Sequence, residues 1–225
     1  PFNDTDFEYD ALNKISWIKG SDYKIRLSAA SSGYQSVLPL SLITRFLSDL
    51  VLDNANKEDL SIKEKKQIEK EVNKVMNDKS LTDGVKFAML RNISSRFKYS
   101  CFVNIVEEME LNLYPESQRS VLFDLLSYAN KIELNRLVLT THSPYVINYL
   151  TLAAKAFLLT QKISANETLQ ERIKEVVPAD SAIDPARLRI YELKDGGVFR
   201  LSTYEGLPSD ENFLNIQLGV TNELF

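Results

Sequence analysis

"SCFVNIVEEMELNLYPESQRSVLFDLLSYANKIELNRLVLTTHSPYVINYL", residues 100–150, is the stretch that decides the fold. The apolar run from 101 to 106 has the composition of a strand buried on both faces. Residues 116–132 carry apolar side chains at helical spacing, a second apolar run follows at 136–141, and a second helix at 144–159. Strand, helix, strand and helix with short links predict an α/β fold with a parallel sheet and flanking helices.

Polar side chains stand immediately after both predicted strands. Glu107 and Glu108 end the first strand, and His142, the one histidine of the chain, follows the second. Because the ligands of parallel sheets bind at the carboxyl ends of the strands, these side chains are expected to be neighbours. Ser143 suits a helix N-cap and Pro144 the first helical position, and the free N–H groups of a helix N-terminus attract anions.

Such a cluster suits phosphate chemistry. One carboxylate can hold Mg²⁺, which prefers oxygen ligands, and a second can orient a water toward a phosphate. An imidazole can donate a hydrogen bond to a phosphate oxygen without being charged. A solvated strand end and an ordinary surface histidine remain the alternative interpretations.

A segment of small residues upstream is a candidate anion cradle. "SSGYQ", residues 31–35, follows an expected strand at 22–27 and precedes an apolar helix. Glycine permits close backbone approach and serine adds a hydroxyl donor, although an ordinary N-cap with a turn is the alternative. Pro39 is expected in the first turn of the helix. The helix face expected to be buried consists of Leu38, Leu42, Ile43, Phe46, Leu47 and Leu50.

Residues 54–97 are expected to form a helical insertion in the α/β frame. Ser61 and Glu64 match a capping box. A solvated amphipathic helix is the favoured interpretation, because interleaved glutamates offset the field of its lysines, and nucleic-acid binding is the alternative. A second helix is expected at 83–93. The apolar stripe of the first consists of Ile68, Val72, Val75 and Met76.

Residues 160–225 are expected to be an extension of strands and a final helix. Asp195-Gly196-Gly197 between two apolar runs predicts a β-hairpin. The last residues, from about 211, are expected to be helical.

Composition narrows the class of protein. The chain has 225 residues, 44% of them hydrophobic and 26% charged, as in globular domains with a sizeable core. A net charge of -4 excludes binding of polyanions through overall charge. Cys101 is the single cysteine, which excludes an internal disulfide and favours a reducing compartment. With no signal-peptide pattern and no eighteen-residue apolar run, a cytoplasmic protein without a membrane span is expected.

In this order, three segments resemble the C-terminal half of an ABC-type ATPase domain of the SMC/RecF/OLD-like group. "ASSGYQS" (30–36) resembles the signature motif, "CFVNIVEEMELNLYP" (101–115) the Walker B strand with its D-loop, and "LVLTTHSPYVI" (137–147) the switch-histidine loop. The resemblance covers roughly residues 22–150. It implies a partial P-loop NTPase fold, and ATP and Mg²⁺ as the cofactors.

The resemblance also implies a role for each matching residue. Glu107 would take the Mg²⁺-associated position through water, Glu108 would polarise the attacking water, and His142 would contact the γ-phosphate. Asn112 would lie near the interface of a head-to-tail dimer. The residues that would reach the γ-phosphate bound on the partner subunit are Ser31, Ser32, Gly33 and Gln35.

Three residues depart from the family pattern. Met109 stands where proline is usual, and Tyr34 where glutamine or glutamate is often found. Neither change removes a catalytic group. Glu107 replaces the commoner aspartate but keeps a carboxylate.

The phosphate loop G-x-x-x-x-G-K-[ST] of such domains does not occur in this sequence. Its absence predicts a fragment or one half of a split ATPase, with the fragment favoured. The expected partners are the N-terminal ATPase half, a second copy of the chain, and DNA or an effector protein, in DNA repair or anti-phage defence. A non-catalytic interaction module and a nucleic-acid-binding module on the same scaffold are the alternatives.

Overall fold

The computed structural model describes residues 5–54, 60–94, 99–163 and 166–223. These residues form a mixed α/β protein with a small parallel two-stranded sheet. The strands are β1 (Asp6–Asp10), β2 (Ile15–Lys19), β3 (Lys24–Arg26), β4 (Val103–Glu107), β5 (Arg136–Thr140), β6 (Tyr191–Lys194), β7 (Gly197–Arg200), β8 (Thr203–Tyr204) and β9 (Leu207–Pro208). The helices are α1 (Ser32–Asn54), α2 (Ile62–Asn77), α3 (Asp83–Ser94), α4 (Pro115–Asn130), α5 (Pro144–Lys162), α6 (Glu167–Val176) and α7 (Phe213–Glu223).

The β4–α4–β5–α5 unit has the element order and the parallel pairing that the sequence predicts. Val103 lies opposite Arg136, and the register continues to Glu107 opposite Thr140. Each fully buried aliphatic side chain stabilises the fold by roughly 1.5–3 kcal/mol relative to exposure. The main core, which joins β4 to α4 and α5, includes Val106, Leu122, Leu125, Leu126, Val146, Leu150 and Ala153.

One face of the parallel sheet is open, so the prediction of strands buried on both faces is wrong. Asn104 and Val106 are partly or fully buried. On the opposite face, Val103, Ile105 and Val138 are 57%, 68% and 47% exposed. Parallel sheets are normally covered on both faces. The described residues therefore supply the covering layer of only one face.

Helix α1 buries a different face from the predicted one. Ile43 and Phe46, expected in the core, are 59% and 65% exposed. Thr44 and Ser48 are buried instead, and Asn104 Nδ2 of β4 donates a hydrogen bond to Thr44 Oγ1 at 3.0 Å. The contact between this helix and β4 is thus polar, and Ile43 and Phe46 point away from the described core.

Within α1, Pro39 lies well past the predicted first turn, because the helix begins at Ser32. By length and composition alone, the segment Ser32–Asp53 is long and apolar enough to cross a membrane. This is weak evidence for a span, because the core helix of a soluble protein passes the same test.

The two helices expected in the insertion are present. Helix α2 begins at the predicted capping box, in which the Ser61 hydroxyl accepts from the Glu64 N–H and the Glu64 carboxylate accepts from the Ser61 N–H. Met76, expected in the buried stripe, is 57% exposed. Residues 55–59 and 95–97 of the predicted insertion lie outside the described ranges. A small separate core joins α2 to α3 through Ile68, Val75 and Ile93.

The ends of the described chain carry small antiparallel sheets. β6 and β7 form the predicted hairpin, and Asp195 and Gly196 adopt the positive φ angles of 51° and 74° that its tight turn requires. The expected final helix is α7, whose Phe213 N–H donates to Glu192 Oε1 at 2.7 Å. β1, β2 and β3 form a three-stranded sheet, of which the sequence pattern predicts only the third strand.

The substitution Leu122→Ala tests the position of the main core. Leu122 is fully buried in α4, so we expect a loss of about 2–5 kcal/mol in the free energy of unfolding, measured by urea denaturation. Leu134→Ala is the matched control, because Leu134 is 55% exposed and its truncation should change stability by no more than about 0.5 kcal/mol. Equal losses in the two variants would contradict this assignment of the core.

Candidate functional site

The ends of β4 and β5 bring the predicted acidic pair and the histidine together. Glu107 lies opposite Thr140 in the sheet register. The pairing continues one residue further, because the Glu108 N–H donates to Thr140 O at 3.0 Å and lies 3.2 Å from Thr140 Oγ1. The strand ends therefore place Glu107 and Glu108 beside Thr140, two residues before His142 in the chain.

The chain turns sharply at Glu108. This residue has a φ of 47°, a left-handed conformation that is unfavourable by about 1–2 kcal/mol for a residue with a Cβ. Its carbonyl accepts from the Leu111 N–H, and the Glu110 carbonyl accepts from the Leu113 N–H, both at 3.0 Å. Residues 108–113 thus form two successive tight turns, which we call the strand-end turn.

Glu108 and His142 face one another across the two strand ends. The distance from His142 Nε2 to Glu108 Oε1 is 3.3 Å. The imidazole is 82% exposed and the carboxylate side chain 41% exposed, so water screens any attraction between them. Both groups are accessible to a ligand that approaches this edge of the sheet.

The backbone N–H groups expected to attract an anion before α5 are already engaged. The His142 N–H donates to Glu110 Oε1 at 2.6 Å, and the Ser143 N–H donates to Thr141 Oγ1 at 3.0 Å. Ser143 and Pro144 take the predicted N-cap and first helical positions, but the Ser143 hydroxyl makes no capping bond. In this arrangement an incoming phosphate would meet the His142 imidazole rather than these two amides.

Two residues outside the predicted set tie the strand-end turn to residues 141–143, which we call the histidine loop. One is Glu110, whose carboxylate accepts from the main chain of His142. The other is buried Gln118, which accepts from the Ser143 hydroxyl at 2.7 Å and donates to Leu113 O at 3.0 Å. Glu110 is the third acid of the E-E-x-E string, and its spacing from Glu108 was the signal available in the sequence.

Gly33 and Asn112, two predicted site residues, meet within this chain. A Cβ on Gly33 would lie 2.9 Å from Asn112 O and 3.2 Å from Leu113 Cδ2. Asn112 has a φ of 59°, which asparagine tolerates better than most residues. Close packing between α1 and the strand-end turn therefore requires a glycine at position 33.

The rest of the predicted anion cradle faces solvent. Ser31 and Ser32 are exposed. Gln35 Nε2 donates to Ala30 O at 2.8 Å, so this side chain stabilises the start of its own helix. The contact of Gly33 with Asn112 places these residues beside the strand-end turn. Their role toward a partner's phosphate remains a prediction.

The carboxylates at this edge fit Mg²⁺ only as part of a larger ligand set. No group of three His, Cys, Asp or Glu side chains suited to a metal ion occurs among the residues that the structure describes. Glu107 is exposed at the end of β4 and offers carboxylate oxygens. Mg²⁺ commonly uses one or two carboxylates with water and substrate phosphates, so Glu107 fits such a site if phosphates complete it.

No protein-family model matches the chain, and a search of curated proteins finds no match. The ABC-type interpretation therefore depends on the motifs and on the geometry of the strand ends.

The substitution Gly33→Ala tests the contact between α1 and the strand-end turn. We expect it to reduce the free energy of unfolding by about 1–3 kcal/mol, because the new methyl group overlaps Asn112 O. Gly84→Ala is the matched control. Gly84 is also the second residue of a helix, and no atom lies within 4 Å of its added Cβ.

Thermal denaturation compares the stabilities of the Gly33→Ala and Gly84→Ala variants. Gly84→Ala should be neutral or stabilising by about 0.5–1 kcal/mol, because alanine favours helix more than glycine does. If Gly33→Ala is equally stabilising, Gly33 does not pack against the strand-end turn.

Proposed function

We propose that the chain is the C-terminal lobe of an ABC-type ATPase domain. It hydrolyses ATP when a phosphate-loop half completes the nucleotide site and a second copy docks head to tail. The observation that carries this proposal is the 3.3 Å approach of His142 to Glu108 at the carboxyl ends of two parallel strands. A carboxylate and an imidazole within reach of one another at this edge suit the activation of a water beside a phosphate.

Each residue has a separate task in this proposal. The Glu108 carboxylate accepts a hydrogen bond from the attacking water and orients it toward the γ-phosphate. His142 Nε2 donates a hydrogen bond to that phosphate, which requires the imidazole to leave Glu108, and its 82% exposure leaves room for this rotation. Mg²⁺ would offset phosphate charge, and Glu107 would hold it through water.

Two uncovered apolar surfaces support completion of the lobe by further polypeptide. The first is the open sheet face with Val103, Ile105 and Val138, and the second is the α1 face with Ile43 and Phe46. A parallel sheet buries both faces in a finished domain, so more strands and a second helical layer suit this lobe. The N-terminal half that carries the phosphate loop is the proposed source.

The proposed second copy would meet Ser31, Ser32 and Asn112, which are all exposed. Gly33 would then support this surface by packing against Asn112, and it would not contact the phosphate itself. The proposed setting is the cytoplasm, in DNA repair or anti-phage defence, which is the setting of the proteins that the motifs resemble.

The substitution Glu108→Gln tests the catalytic role in a protein that contains both ATPase halves. We expect ATP turnover to fall by at least about 10²-fold, because the amide cannot act as a base, while ATP-dependent association persists. Turnover is measured by phosphate release and association by light scattering.

Glu133→Gln is the control, because Glu133 is exposed and precedes β5, whereas His142 follows this strand. It should leave turnover unchanged. If Glu108→Gln also leaves turnover unchanged, the catalytic assignment is wrong. If the wild-type protein with both halves has no turnover, the non-catalytic interaction module becomes the better account.

We infer a second candidate function, nucleic-acid binding, from one face of α2. The glutamates interleave with lysines in the sequence, yet four lysines still share one face of the helix. Glu64 is engaged in the capping box, and Glu69 and Glu71 flank the lysine face at i, i+3 spacing from Lys66 and Lys74. This face, about 16 Å long, could contact a phosphate backbone. The exposed lysines that share it are Lys63, Lys66, Lys70 and Lys74.

Fluorescence anisotropy with a 20-base-pair DNA duplex tests this second function. The test variant replaces the four α2 lysines with glutamine. We expect weaker binding and a salt-dependence slope that falls by about 3–4, because each phosphate contact contributes about 0.9 to the slope.

The control variant removes the same charge elsewhere, through glutamine at exposed Lys19, Lys155, Lys162 and Lys174. It should retain most of the wild-type slope. Equal losses in both variants would mean that overall charge, and not the α2 face, governs binding. No binding by the wild-type chain at low salt would remove this candidate function.

A further inference from the structure

The carboxylate of Glu110 joins the strand-end turn to the histidine loop. Glu110 Oε1 accepts a hydrogen bond from the main-chain N–H of His142 at 2.6 Å, across 32 residues of sequence. A bond of this length to a charged acceptor belongs to the stronger class of protein hydrogen bonds. Glu110 also sits at the first position of the second tight turn, which ends at Leu113.

The second oxygen of this carboxylate lies in an energetically unfavourable environment. Glu110 Oε2 is buried and receives no hydrogen bond from the residues that the structure describes. A buried polar atom without a partner opposes folding, and such atoms call for a specific explanation. Contribution to stability alone is therefore a weak explanation for a glutamate at this position.

Few contacts hold the His142 side chain in place. Its side chain is 82% exposed, and the polar contact that it makes among the described residues is with Glu108. Where the imidazole lies thus depends chiefly on how the backbone is held. Glu110 holds the N–H of His142 itself, and Gln118 holds the next residue through the Ser143 hydroxyl.

We propose that Glu110 is a positioning residue that fixes the His142 backbone so that the imidazole faces Glu108. Because Glu110 lies in the same turn as Asn112, it also makes the position of His142 depend on the conformation of the strand-end turn. This inference rests on the proposed ATPase function and deepens it. A partner that shifts the turn would shift the phosphate-contacting histidine through one hydrogen bond.

The single histidine makes the geometry directly measurable in this chain. In a ¹⁵N-histidine-labelled sample, His142 gives the one labelled backbone amide signal and the one pair of imidazole nitrogens. Glu110→Ala removes the acceptor, so we expect the amide proton signal to move upfield and its exchange with solvent to speed up by roughly tenfold or more. The imidazole signals should shift as well, because the ring loses its fixed place beside Glu108.

Two further variants separate positioning from a general loss of structure. Glu110→Gln keeps a weaker acceptor of the same shape, so its amide signal should lie between those of the wild type and Glu110→Ala. Glu116→Ala removes an exposed carboxylate six residues away and should leave both His142 signals unchanged. Unchanged His142 signals in Glu110→Ala would overturn the proposal.

A kinetic measurement in the protein with both ATPase halves completes the test. Glu110→Ala should lower kcat at least tenfold with a KM for ATP within about twofold of wild type, and Glu110→Gln should recover part of kcat. Altered His142 signals with unchanged kcat would make Glu110 merely structural and overturn the proposal, while the ATPase function would stand. Unchanged turnover in Glu108→Gln would instead remove the ATPase function, and the two failures are therefore distinguishable.

Discussion

The parallel pairing of β4 with β5 is the constraint on which the rest of the described site depends. Its register places Glu107 beside Thr140 and carries the Glu108 N–H to the end of the neighbouring strand. Because side chains alternate along a strand, a slip of one residue would take Val106 out of the core and bring Ile105 into it. The hydrophobic core thus enforces the register that sets Glu108 and His142 face to face.

The part of the fold that could be predicted from sequence is the part in which local pattern and packing agree. Residues 116–132 repeat apolar side chains at helical spacing over four turns, and α4 has nearly these bounds. Pro144 marks the start of α5 because proline suits a first helical turn. The meeting of Glu108 with His142 followed from one topological rule, that the ends of parallel strands share an edge.

Other features depend on contacts that no local pattern records. The apolar residues of α1 predict the wrong face, because Thr44 and Ser48 are buried instead and Thr44 bonds to Asn104 of β4. An open sheet face cannot be foreseen either, since Ile105 and Val106 are equally apolar in the sequence. Glu110 looks like one more solvated acid, and only the fold brings a backbone N–H to its carboxylate.

The open edges of β4 and β5 affect the behaviour of this part of the chain in solution. In the described part of the chain, β4 and β5 pair only with one another, so each presents unpaired backbone groups beside exposed Val103, Ile105 or Val138. An apolar strand with an unpaired edge pairs readily with other strands, including strands from other copies of the chain. Aggregation is therefore the competing fate of this surface, and in the proposed ATPase domain early pairing with strands of the other half would prevent it.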